Sequence, residues 1–125
     1  MDEYCKISVD GVATREELAA ALAESTGGKL DSSLPSSEIA TSWATIDVVR
    51  NSDYEASRRN EWPDGFLFFP YFVEIYIGPG ADLEGYRRNV GKLLQALWDR
   101  GLKAVAACDF EDQLPMRGGY KTRKW

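Results

Sequence analysis

The chain has 125 residues, is 44% hydrophobic and 28% charged, and carries a formal net charge of −5, values that fit one domain with a core of its own and exclude a disordered chain. No apolar run approaches the roughly 20 residues that cross a bilayer, and Met1-Asp2-Glu3-Tyr4-Cys5 lacks the basic start and apolar stretch of a signal peptide, so a cytoplasmic location without membrane contact is expected. The absence of histidine removes the commonest general base, the Ser-His and Cys-His nucleophile pairs and most catalytic zinc sites, so no catalytic residue, metal or cofactor is expected.

Tyr4 to Asp10 alternates Cys5, Ile7 and Val9 against Lys6 and Ser8, the period-2 pattern of a half-buried strand. Thr14-Arg15-Glu16-Glu17 matches a capping box and opens a helix, with the Thr14 hydroxyl accepting the Glu17 N–H and the Glu17 carboxylate bonding back to Thr14. Leu18, Ala21 and Leu22 line its apolar side, and Gly27-Gly28 ends it. The serine-rich stretch from 29 to 37 reads as a polar loop. Glu38 to Arg50 alternates again and predicts one strand, with Ala44, Ile46 and Val48 on one face and Thr45 and Asp47 on the other.

Asn51 to Gly65 is polar and predicts a long loop closed by a Pro63-Asp64-Gly65 turn. The dodecamer Phe66 to Ile77 then predicts a third strand. Its parity places Leu67, Phe69, Tyr71, Val73, Ile75 and Ile77 under the helices and Phe66, Phe68, Phe72, Glu74 and Tyr76 on the opposite face. Pro70 lacks the N–H a central strand needs, so a bulge or a break that reverses the facing of one half is expected there. Asp82 to Arg100 is an amphipathic helix stopped by Gly101, and Lys103 to Phe110 a last short strand.

The resulting order, βαββαβ, predicts an α+β, ferredoxin-like sandwich: a four-stranded antiparallel sheet with two helices on one face, filling residues 1–116. Residues 117–125 hold Arg117, Lys121, Arg123 and Lys124 and no acid, and read as a flexible basic tail. The remaining body has 11 basic and 20 acidic side chains, a net of −9. Such a field repels nucleic acid and anionic membranes and attracts basic proteins. The aromatic sheet face also lacks the RNP1 pattern of an RNA-binding sheet.

Asp64-Gly65-Phe66-Leu67-Phe68-Phe69-Pro70-Tyr71, and Ala104 to Pro115 with its Cys108-Asp109-Phe110-Glu111-Asp112 centre, resemble segments of small uncharacterised bacterial proteins, chiefly of actinobacterial type. In type (single-domain, acidic, free of catalytic motifs) the chain is also similar to the immunity proteins that neutralise polymorphic bacterial toxins. That resemblance implies a protein-binding inhibitor that occludes a basic toxin, and it carries over no site residues. The alternative is a small-molecule-binding or regulatory domain using the open sheet face, which a second copy could also cover as a homodimer.

Candidate binding residues follow from residue type. Asp109, Glu111 and Asp112 form the one concentrated carboxylate cluster, suited to an arginine-rich partner or a hard cation, against the simpler reading of a solvated strand end. Tyr54 and Trp62, with Arg58 and Arg59, belong to the types that dominate interface energetics, yet the same loop could instead fold back as a lid. Phe68, Phe72, Glu74 and Tyr76 complete the set on the open face. Gly78-Pro79-Gly80 lacks phosphate-loop spacing and reads as a turn. Cys5 and Cys108 read as reduced, buried thiols brought towards one another by neighbouring strands, with Asp109 disfavouring a thiolate at Cys108.

Overall fold

Apolar side chains at every second position of Cys5–Asp10 (β1), Ala44–Arg50 (β4) and Tyr71–Ile77 (β5) give each strand one face to bury. The helices Arg15–Thr26 (α1) and Leu83–Asp99 (α2) cover that face. The structure, a computed structural model, describes residues 3–33 and 37–121.

The class is α+β, but the sheet has six strands where four were expected. Lys29–Asp31 (β2) and Ser37–Ala40 (β3) join the other three and Lys103–Cys108 (β6) in the order β2-β3-β4-β5-β1-β6, every neighbouring pair antiparallel. Two local misreadings account for the difference. The polar stretch after α1 contains a short, fully exposed edge strand, which shows no apolar alternation because it buries neither face. The single strand expected from Glu38 to Arg50 is a hairpin. Thr41 folds it back: its hydroxyl accepts the N–H groups of Trp43 and Ala44 and donates to the Ala44 carbonyl, a side-chain turn that competes with the ladder.

Helix ends follow the local chemistry. The Thr14 hydroxyl accepts the Glu17 N–H at 3.1 Å, while the Glu17 carboxylate takes the N–H of Ala13 at 2.9 Å, not that of Thr14. Gly27, at φ 68°, ends α1. Asp82 caps α2 through the Gly85 N–H at 2.9 Å.

Between sheet and helices lies one core, with Ile7, Val9, Ile46, Val73, Ile75, Leu94 and Leu97 fully buried. Tyr86 sits inside it, its hydroxyl donating to the carbonyls of Glu3 and Ile75. In the stretch from Arg117 to Lys121, read as the start of a basic tail, Arg117 and Lys121 are exposed. Gly118 and Gly119 are buried against β6 and Trp98, and the Tyr120 hydroxyl donates to Asp64 at 2.9 Å. The rest of the basic tail lies outside the described residues.

Candidate functional site

The sheet face without helices divides into a covered half and a bare half. The cover is the segment from Asn51 to Pro70. Its end is not a strand: Asp64–Phe68 forms a 3-10 turn, and β5 begins only at Tyr71. Pro70 marks the break, and the facing expected from one continuous strand fails before it, leaving Leu67 52% exposed. Phe69, at 1%, is buried, but beneath the lid beside Val105 and not in the core under the helices where the parity had placed it.

Bonds within the lid clasp its two ends together, and two more tie it to the sheet. The buried Asn51 amide donates to the carbonyls of Leu67 and Phe69 at 3.0 and 2.8 Å, and its oxygen accepts the Asp53 N–H. Arg59 Nε lies 3.0 Å from the buried Oδ2 of Asp10 on β1, and Lys103 donates to Asn60.

Beneath the lid is a cleft of about 630 Å³, lined by Lys6, Ser8, Tyr54, Phe66, Phe68 and Phe72 among others. Its aromatic faces are largely occupied. The Lys6 ammonium sits 4.1 Å from the Phe72 ring centroid, the Arg58 guanidinium 4.0 Å from that of Phe68, and Phe66 meets Tyr120 edge-on. The structure thus brings Tyr54, Phe68 and Phe72 together, but as lid and floor of a cleft. Trp62, 46% exposed, lines a separate cleft of about 300 Å³ on the other side of Phe66.

On the bare half, the register puts Asp31, Glu38, Asp47 and Glu74 side by side on β2, β3, β4 and β5, with Lys6 of the covered half next in the row on β1. Four carboxylates therefore occupy one cross-strand row, on strands about 4.8 Å apart. Like charges directly opposite one another destabilise a sheet, and the ionisation of Asp47 shows the strain: burial first, then Glu38 and Glu74, push its carboxyl above the usual range. Asp31 is held below that range by bonds from the Ser33 hydroxyl and N–H, so the outer end of the row stays charged.

Beside this row, Tyr76 is 42% exposed and donates to Glu74 at 3.0 Å, while Tyr4 donates to the other Glu74 oxygen at 3.1 Å and packs tilted against Tyr76, ring centroids 5.3 Å apart. Burial and Glu74 raise the ionisation of both phenols above its ordinary range, so they stay neutral donors at physiological pH. The result is a surface that offers carboxylates and aromatic edges together. Among the described residues no group of three or more acidic or cysteine side chains is placed to hold a metal ion.

Asp109, Glu111 and Asp112 lie apart from this row, past the end of the opposite edge strand, β6. Asp109 and Asp112 are exposed, but Glu111 accepts the Cys108 N–H at 3.3 Å and so has a structural task. Cys108 departs from expectation as well. It is half-buried, and its interaction with Cys5 holds its thiol below the usual range despite the raising effect of burial, Glu111 and Asp109.

The sequence reading found Glu74 and Tyr76 and missed Asp31, Glu38, Asp47 and Tyr4 as partners of one surface. The missing signal was the Thr41-Ser42-Trp43 turn, which sets Glu38 opposite Asp47. No family model, curated protein or solved structure matches the chain. Among the described residues no helix is long and apolar enough to cross a membrane.

Proposed function

We propose that this protein is a non-catalytic binding module that captures a basic protein on the bare half of its sheet, most concretely as an immunity protein occluding a cognate bacterial toxin. The observation that carries this reading is the row Asp31, Glu38, Asp47 and Glu74, flanked by Tyr76 and Tyr4. Four carboxylates in register cost the sheet stability when it stands alone, and arginine or lysine side chains of a partner would remove that cost while bonding to the oxygens. Electrostatic steering would make capture fast, and exposed Tyr76 supplies an aromatic anchor. The test is a pull-down from the source organism, comparing wild-type bait with the D31N/E38Q/D47N/E74Q variant. A basic protein retained by the first and lost from the second supports the reading; equal retention by both baits, or capture of no basic protein, rejects it.

A second reading rests on the cleft under the lid. Its volume of about 630 Å³ falls in the range of small-ligand sites, and its aromatic walls carry a few polar groups, Lys6 and Ser8 among them. Direct infusion mass spectrometry of the purified protein under non-denaturing conditions distinguishes the two: a stoichiometric small molecule lost on Phe72→Ala favours the cleft.

A further inference from the structure

Cys5 and Cys108 stand directly opposite one another on the antiparallel strands β1 and β6. Such a ladder alternates hydrogen-bonded and non-hydrogen-bonded pairs, and the backbone of β6 tells which this is. The Ala104 carbonyl accepts the Trp98 indole N–H at 2.9 Å, and the Cys108 N–H is donated to Glu111 at 3.3 Å. The backbone groups at positions 104 and 108 therefore point off the edge of the sheet, away from β1. The cysteines form a non-hydrogen-bonded pair, the geometry in which opposed Cα atoms approach to about 4.5 Å, inside the range of roughly 4.4–6.8 Å that a disulfide accepts. Both side chains turn to the helix-covered face, Cys5 inside the core and Cys108 packed against it.

The two thiols are not equivalent. Cys5 is wholly buried and Cys108 half-buried at the sheet edge. Its interaction with Cys108, then burial, holds the Cys5 thiol well above the ordinary range, whereas the interaction with Cys5 lowers that of Cys108. Glu111 and Asp109 act in the opposite sense but are outweighed. Arg87, paired with Glu3, lies over the ring of Phe110, two residues beyond Cys108. One accessible, acidified thiol next to one buried, protonated thiol is the arrangement of a sulfur nucleophile with a resolving partner.

The geometry points to a peroxide-oxidised dithiol, in which Cys108 reacts with a hydroperoxide and Cys5 resolves it to a cross-strand disulfide. In the first step the Cys108 thiolate attacks one peroxide oxygen, the O–O bond breaks, and the other oxygen leaves as hydroxide or alkoxide and takes a proton. Cys108 is then a sulfenic acid. In the second step Cys5 gives up its proton and attacks the Cys108 sulfur, the S–S bond forms, the S–O bond breaks, and the departing hydroxide leaves as water. Two thiols have lost two protons and two electrons to the peroxide. The bridge would staple edge strand β6 to β1 next to Tyr4, which holds Glu74 on the opposite face, and a dithiol reductant would reverse it.

The test treats the folded, reduced protein with hydrogen peroxide and follows free thiols, counted after unfolding, together with intact mass. Wild type should lose both thiols together, keep its monomer mass less two hydrogens, and recover both thiols with dithiothreitol. Cys5→Ser should stop at a Cys108 sulfenic acid, trapped by dimedone in at least ten-fold greater yield than in wild type, and Cys108→Ser should leave Cys5 unreacted. Accumulation of sulfenic or sulfinic acid on wild-type Cys108 with Cys5 still countable, or survival of both thiols, would overturn the proposal. The wild-type measurement alone decides it if either variant fails to fold.

Discussion

Asp47 bears most directly on how the acidic surface behaves. Its carboxyl is raised by burial and by Glu38 and Glu74, so folding favours its protonated form. The contribution this makes is fully present below the ordinary carboxylate range and is lost as pH rises through the raised value. Asp47→Asn should therefore stabilise the isolated protein near pH 7, by about 0.5 kcal/mol for each relieved neighbour, and the gain should shrink towards zero on acidification below about pH 4. Urea unfolding across that range checks both the sign and the trend. The same residue shows what could be read from the sequence. Alternation from Ala44 to Val48 placed Asp47 on the helix-free face, but its pairing with Glu38 depended on a turn made by a threonine hydroxyl, and periodicity does not register a turn of that kind.

At the scale of elements, the lid from Asn51 to Pro70 decides which aromatics are presented. Asn51→Ala would strand the buried carbonyl of Phe69 and the part-buried one of Leu67, at a cost of roughly 2 kcal/mol. The loss should appear first as faster proteolysis within the lid and only then as lower global stability; an unchanged cleavage rate would contradict the clasp. Gly65→Ala should act in the same direction, since its Cβ would lie 2.7 Å from the Arg59 carbonyl oxygen. The sequence announced the trouble at Pro70 but not its form. Four aromatics and aliphatics in a run, Phe66 to Phe69, look like a strand by composition, whereas the 3-10 turn over Asp64–Phe68 is clasped by side-chain bonds from Asn51 to the carbonyls of Leu67 and Phe69, 16 and 18 positions away. The helices were legible because their caps and apolar stripes are local. The edge strand β2 was not, because pairing with β3 is all that defines it.

For the whole molecule, charge and shape argue together. The net charge of −9 over Met1 to Met116 is not evenly spread: the bare half of the sheet concentrates four carboxylates, while Lys6 and Arg58 are drawn onto the rings of the covered half. A symmetric homodimer through the bare half would set that row against its own copy, so the isolated protein should sediment as a monomer at low salt; self-association that strengthens as salt is lowered would count against the account. Tyr76→Ala should raise the dissociation rate of the basic partner by the equivalent of roughly 2 kcal/mol if Tyr76 anchors it, with little effect on association. The most direct measurement is the association rate constant of that partner as a function of salt concentration, for wild type and for the D31N/E38Q/D47N/E74Q variant. The account predicts that the variant associates at least ten-fold more slowly at low salt, with a flattened salt dependence and an unfolding midpoint no lower than that of wild type; equal rates and equal salt slopes for the two proteins would contradict it.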